Sequence, residues 1–244
     1  MKVSGAWIDR PATQALCAAL EAAGFQALFV GGCVRNALLG VQVSDIDIAT
    51  DASPKTVSDI AKRAGFRVIP TGIEHGTVTV VAGGIPHEVT TFRRDVETDG
   101  RRAVVAFSSD VAEDAARRDF TMNALYARAD GTVIDPLGGL PDLLARSVRF
   151  VGTAEARIRE DYLRILRFFR FHAHYGDVEG GIDAEGLAAC AALNAGLETL
   201  SAERITAETC KLLSAPDPAP AVAAMAQAGV LARILPGADP QPLA

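Results

Sequence analysis

Two glycines set between a strand and a helix, followed by two aspartates on the next strand, constrain this 244-residue chain more than any other feature. Phe25 to Val30 is an apolar, strand-forming run, and Gly31-Gly32 then open a short helix through Cys33, Val34 and Arg35 to Leu39, stopping at Gly40. Paired glycines at such a junction expose backbone N–H groups at a positive helix end, which suits phosphate oxygens. Ser44 to Ala49 alternates polar and apolar residues as a half-buried strand does. Residues i and i+2 of a strand share a face, so Asp45 and Asp47 present two carboxylates about 7 Å apart at the backbone. Like charges on one face repel unless a cation lies between them, and hard oxygen donors beside substrate phosphates favour Mg²⁺.

An Asp-x-Asp pair taken alone is more often a pair of exposed strand or turn residues than a metal site. Here Ile46 and Ile48 face a core and the glycine turn lies just upstream, which favours the metal reading. Further on, Thr77 to Val81 and Ile85 to Thr91 flank Ala82-Gly83-Gly84 as a hairpin, and Glu88 alternates with Val89 and Thr91 in its second strand. Glu88 is open between a third carboxylate of a two-metal phosphoryl-transfer site and an edge-strand charge.

Helices are expected over Pro11 to Ala23, from the Ser53-Pro54 cap to Gly65, and over Asp110 to Arg118. A strand is expected near Asn123 to Arg128 with a turn at Asp130-Gly131. Phe92 to Ser109, with Arg93, Arg94, Arg101 and Arg102 around Asp99-Gly100, lacks sustained periodicity and reads as a mobile loop. Everything after Thr153 reads as helix and loop, near 155–175, 184–196, 201–213 and 218–229. The expected organisation is therefore an α+β domain over 1–150, with mixed sheet and helices, and an all-helical region over 151–244.

Hydrophobic residues at 49% are enough to fill cores, and charged residues at 22% with a near-average load of glycine and proline exclude collagenous, coiled-coil and wholly disordered classes. No apolar stretch is long enough for a bilayer, and Asp9 and Arg10 stand where an export signal needs an apolar core, so a cytoplasmic product without membrane contact is expected. The four cysteines lack ligand spacing and read as reduced, mostly buried thiols. A net charge of −6 argues against a general nucleic-acid binder, yet arginines 146, 149, 157, 159, 164, 167 and 170 cluster as a local basic surface or a solvated helical face.

The ordered runs GGCVRNALLG and DIDIAT, HGTVTVV and HEVTTFRRD, RRDFTMNAL, IDPLGG, and EDYLRILRFFRF resemble the class II CCA-adding enzymes and the related bacterial poly(A) polymerases over residues 25 to 235. The resemblance implies a polymerase-β-like nucleotidyltransferase head and a helical neck that holds the base of the incoming nucleotide. It implies metal binding by Asp45 and Asp47, triphosphate binding by Gly31, Gly32 and Arg35, and ribose recognition by Arg117, Arg118 and Asp119, with Asn123 in the same nucleotide-binding run. An Asp can accept from a 2′-OH and an Arg can clamp phosphate, which agrees with that assignment; a helix C-terminus favouring cations would also account for the two arginines. In the neck it implies that Asp161 and Arg164 read the Watson–Crick edge of the base, with Arg167 on the same helix. There Tyr162, Ile165, Leu166, Phe169 and Ala173 form the buried stripe, and an i,i+3 salt bridge between Asp161 and Arg164 is the competing account. Phe168 and Phe171 read as core aromatics rather than stacking partners.

Two departures matter. Asn36 stands where the family usually has Asp, and no catalytic role follows for it. Family members continue through regions that grip the tRNA elbow, whereas this chain stops at Ala244, so it is expected to be truncated and to bind tRNA weakly. The expected activity is CCA addition from CTP and ATP to the tRNA 3′ end. A poly(A) polymerase, an A-adding specialist and a non-catalytic RNA- or nucleotide-binding module are the alternatives.

Overall fold

The computed structural model describes residues 1–96 and 104–239, and they divide into two compact units. Unit 1 comprises residues 1–118 and 122–140, and unit 2 comprises 119–121 together with the chain from 141 onward. Among the described residues no helix is long and apolar enough to cross a membrane.

Unit 1 holds helices α1 (Pro11–Ala22), α2 (Gly32–Leu38), α3 (Pro54–Arg63) and α4 (Val111–Ala116). Its strands are β1 (Leu28–Val30), β2 (Ile46–Thr50), β3 (Arg67–Gly72), β4 (Thr77–Ala82), β5 (Ile85–Thr91), β6 (Arg93–Val96), β7 (Val104–Phe107), β8 (Tyr126–Ala127) and β9 (Val133–Ile134). Seven strands form one mixed sheet in the order β3-β4-β5-β2-β1-β8-β9, in which β2 and β5 run parallel and the other pairs antiparallel.

The alternation in β2 and β5 decides which face does what. Ile46, Ile48 and Thr50 are buried, as are their register partners His87, Val89 and Thr91. Their neighbours Asp47 and Glu88 point to the opposite face. His87 pins this choice: it is 0% exposed, Nε2 lies 2.9 Å from Thr13 Oγ1 on α1, and Nδ1 lies 3.0 Å from the Ile85 carbonyl. A one-residue slip would bury Glu88 and expose His87, so register is strongly specified. The amphipathic α3 packs on the same sheet through Val57, Ile60 and Ala61, and starts at Ser53, whose hydroxyl accepts from the Thr56 N–H at 3.2 Å.

Two expectations are corrected in this unit. Phe92 to Ser109 is not simply a loop, because Arg93–Val96 and Val104–Phe107 pair antiparallel; Asp99, Gly100, Arg101 and Arg102 lie outside the described residues. Strand β3 was not foreseen, since Pro70 and Gly72 argue against a strand. It sits at the sheet edge with an irregularity between Ile69 and Gly72, where a missing N–H is tolerated.

After α5 (Leu140–Leu144), unit 2 carries α6 (Ala154–Glu160), α7 (Leu163–Tyr175), α8 (Ala184–Leu193), α9 (Ala202–Leu213), α10 (Ala219–Gln227) and α11 (Val230–Ile234). Residues 119–121 join it through a short ladder: the Thr121 N–H donates to the Arg149 carbonyl at 2.9 Å, and the Val151 N–H to the Asp119 carbonyl at 3.0 Å. That places Phe120 in an aromatic core with Phe150 (5.0 Å between centroids) and Phe171 (4.9 Å), while Phe150 stacks on Phe168 at 5.4 Å. The single helix expected over 155–175 is broken. Asp161 is extended at φ −156°, and its Oδ1 accepts from the Leu163 N–H at 3.1 Å, so the aspartate ends α6 and caps α7. The buried face of α7 is Leu163, Ile165, Leu166, Phe168, Phe169, Phe171 and His172, and Tyr162 and Ala173 are only half-buried.

The buried His87 generates a pH test. Burial lowers its pKa below the ordinary 6.5, so below that pH the unfolded chain binds more protons than the fold and stability falls as pH falls. Melting curves at pH 7 and pH 5 should show a larger loss for the wild type than for His87→Gln; equal losses would contradict a neutral, buried imidazole.

Candidate active site

Strand register brings the predicted carboxylates of unit 1 together. Asp47 and Glu88 are Cα partners across the parallel β2–β5 pair, and Asp45 stands two residues upstream on the same side. Asp47 is half-buried, whereas Asp45 and Glu88 are exposed. Burial, joined by the negative charges of Glu88 and Asp45 and opposed by Arg118, pushes the Asp47 carboxyl up to about 6. Among the described residues no group of three or more His, Cys, Asp or Glu side chains is already gathered at ligand spacing. Asp45 instead accepts from the Ser44 hydroxyl at 2.9 Å. These are hard oxygen donors carrying an excess of negative charge, and they fit a divalent cation rather than a soft metal.

The glycine turn sits at the end of β1. Gly31 has φ +68°, a left-handed conformation that disfavours side chains, and an added Cβ would lie 3.4 Å from Arg118 Nη1. It is the N-cap of α2, whose first-turn N–H groups no intrahelical carbonyl can reach. Gly32 follows as the first residue of α2. Arg35 is only 6% exposed; its Nη1 donates to Asn123 Oδ1 at 2.6 Å and its Nη2 to Asn36 Oδ1 at 2.8 Å. Asn36 in turn donates to the Gln42 carbonyl at 3.0 Å, so this asparagine and Asn123 brace the turn.

The run Arg117-Arg118-Asp119 is divided, with both arginines in unit 1 and the aspartate in unit 2. Arg117 caps the C-terminus of α4. Arg118 donates to Asp114 Oδ2 at 3.0 Å and to the Tyr126 hydroxyl at 3.1 Å, and that hydroxyl donates to Asp114 at 2.7 Å. Burial alone would raise the Asp114 carboxyl, but Arg118 and the Tyr126 hydrogen bond outweigh it and hold it below the usual range. Asp114 and Tyr126 were missed in the sequence. The i,i+4 spacing of Asp114 and Arg118 was a local signal for the first, while nothing local pointed to Tyr126.

In unit 2 the competing salt bridge between Asp161 and Arg164 is not formed, and the two side chains make separate contacts. Arg164 Nη1 lies 2.5 Å from Glu160 Oε2 and donates to the Arg157 carbonyl at 2.7 Å, whereas Asp161 Oδ2 accepts from Arg204 Nη2 at 2.8 Å. Asp119 is buried, accepting from its neighbouring Phe120 N–H at 2.9 Å through Oδ1 and from both Nε and Nη2 of Arg167 through Oδ2. The arginine-rich stretch is likewise compensated: Arg149 pairs with Asp142, Arg157 with Glu160 and Arg170 with Glu208. Charge pairing thus compensates most of the stretch, while Arg146 and Arg159 stay exposed.

Asp47 predicts its own effect on stability. Because the folded carboxyl holds its proton up to about pH 6, stability falls as pH rises from the ordinary 3.8 through that value. In chelator at pH 8, Asp47→Asn should melt several degrees above the wild type, with the gap closing at pH 4, and added divalent cation should raise only the wild type. A less stable variant at pH 8 would contradict the charge account.

A profile of the poly A polymerase head domain matches residues 27–149, and one of the probable RNA and SrmB-binding site of polymerase A matches residues 181–241. The human mitochondrial CCA tRNA nucleotidyltransferase 1 is 47% identical over 184 residues, 75% of this chain and 42% of the relative. The Oceanobacillus iheyensis CCA-adding enzyme is 47% identical over 191 residues, 78% and 46% of the two chains. The crystal structure of the Bacillus stearothermophilus CCA-adding enzyme in complex with CTP superposes with a TM-score of 0.82 at 39% identity, covering 93% of this chain and 55% of that one. This chain thus spans about half the length of the curated relatives it matches. The chain therefore belongs to the poly A polymerase head-domain family, together with the CCA-adding enzymes.

Proposed function

We propose that this protein transfers nucleotides from CTP and ATP to the 3′ end of tRNA without a nucleic-acid template, releasing pyrophosphate, with Mg²⁺ held by Asp45 and Asp47. The observation that carries the reading is the in-register seating of Asp47 beside Glu88, on the face of the sheet turned away from the core. The kinship to CCA-adding enzymes supports tRNA as acceptor and CTP and ATP as donors.

Bound divalent cation would supply Lewis-acid stabilisation of the triphosphate and lower the pKa of the attacking hydroxyl. Asp45 and Asp47 hold that charge in place, and Glu88 is a candidate third ligand. The backbone at Gly31 and Gly32 offers N–H groups to the phosphates, while Arg35, braced by Asn36 and Asn123, keeps the turn rigid. Arg117 and Arg118 add positive charge for the phosphates, and the Asp114–Tyr126 brace orients the second of them. Asp119, aligned by Arg167, is the acceptor for a ribose 2′-OH. Asp161 and Arg164 read the base edge, the carboxylate accepting from an exocyclic amine and the guanidinium donating to a ring nitrogen or carbonyl oxygen. In the chemical step the primer 3′-oxygen forms a bond to the α-phosphorus as the bond from that phosphorus to the pyrophosphate oxygen breaks.

The reading is tested by offering each NTP separately to a tRNA trimmed of its 3′ end. Incorporation of C and A with pyrophosphate release supports it, whereas A alone on any RNA supports polyadenylation or an A-adding specialist. Folded Asp45→Ala or Asp47→Ala should lose more than about a hundredfold in rate, because metal catalysis contributes several kcal/mol to lowering the barrier. Near-normal turnover in either would refute the site. Arg164→Ala should blur the ranking of CTP, ATP, UTP and GTP more than it weakens triphosphate binding, and an unchanged ranking would reduce Arg164 to a partner of Glu160.

A further inference from the structure

Both carboxylate oxygens of Asp161 are held by unit 2 itself. Oδ1 accepts from the Leu163 N–H at 3.1 Å, and Oδ2 accepts from Arg204 Nη2 at 2.8 Å, across 43 residues of sequence. The first bond ties the carboxylate to the start of α7. The second ties it to α9, so the direction of the carboxylate depends on how those two helices pack.

That packing is built to place Arg204. Helix α9 begins at Ser201, whose hydroxyl accepts from the Arg204 N–H at 3.4 Å, which sets Arg204 in the first turn. One turn later on the same side stands Glu208, 4% exposed and 2.8 Å from Arg170 of α7. The Glu208–Arg170 ion pair thereby ties α9 to α7, and Arg204 reaches Asp161 from the same side of α9. By contrast the Arg204–Asp161 pair is itself open, with side chains 48% and 35% exposed, so its contribution to stability is small.

We infer that Arg204 is a specificity-determining positioning residue, which aims the Asp161 carboxylate so that its remaining lone pairs select bases bearing an exocyclic amine. The inference rests on the reading of Asp161 as a base-reading group. An ionised carboxylate only accepts hydrogen bonds, and it has about four lone-pair sites on its two oxygens. The Leu163 N–H and Arg204 each occupy one, leaving one on each oxygen in a set direction. Cytosine N4 and adenine N6 donate to such an acceptor, whereas uracil O4 and guanine O6 would oppose lone pair to lone pair. Without Arg204 the side chain keeps only its cap to Leu163, can turn away from the base, and loses the contrast between amino and keto bases.

The test is steady-state kinetics with all four NTPs on trimmed tRNA, for the wild type, Asp161→Ala, Arg204→Ala, Arg204→Lys and the double variant Asp161→Ala/Arg204→Ala. Arg204→Ala should raise KM for CTP and ATP by about tenfold with kcat changed less, and narrow their advantage over UTP and GTP by a similar factor. Arg204→Lys, which retains one charged donor, should recover part of that advantage. The double variant should be no less selective than Asp161→Ala alone, because both changes act through one carboxylate. Melting temperatures within a few degrees of wild type separate this role from a merely structural one. If Asp161→Ala alters the ranking and Arg204→Ala does not, Arg204 has no positioning role while the reading of Asp161 stands. If Asp161→Ala leaves the ranking unchanged, both fall.

Discussion

The parallel register between β2 and β5 is the constraint on which the unit 1 site depends. Pairing Ile46 with His87, Asp47 with Glu88 and Ile48 with Val89 sends every apolar partner to the core and both carboxylates to the opposite face. Hydrophobic burial thus enforces an arrangement that electrostatics alone would reject. The cost is visible in Asp47, whose proton is held to about pH 6 by burial and by its acidic neighbours. Holding like charges this close is destabilising in itself, a common trade between stability and function.

Unit 2 follows a different rule. Most of its arginines are held by carboxylates, Arg157 and Arg164 sharing Glu160, Arg167 with Asp119, Arg170 with Glu208 and Arg204 with Asp161. Such pairs hold side chains in fixed directions and leave little net charge to attract phosphate at long range. The helical unit is suited to orienting a few hydrogen-bonding groups rather than to gripping a polyanion.

Features set by local chemistry were legible in the sequence. The Gly31-Gly32 turn, the alternation around Asp45 and Asp47, and the Ser53 cap each depend on neighbours within a few residues, and each has its expected local form. Contacts between distant segments were not legible. Glu88 could be seen as a carboxylate in a strand, but its seat beside Asp47 depends on a pairing across 41 positions. The β3 edge strand was hidden by Pro70 and Gly72. The break at Asp161 was hidden for the opposite reason, since Glu160-Asp161-Tyr162-Leu163 contains no glycine or proline and the competing hydrogen bond to the Leu163 N–H belongs to the aspartate side chain. Arg204, far away in the chain, gave no local sign of its partner.

The central claim is that one set of carboxylates, with one base-reading unit, builds a defined triplet on tRNA. It is tested most directly by supplying CTP and ATP together to a tRNA ending at its discriminator base and sequencing the product 3′ ends. The account predicts ends of C-C-A and no further growth. Homopolymeric A tails, addition to any RNA regardless of its 3′ end, or no addition by the folded protein would contradict it.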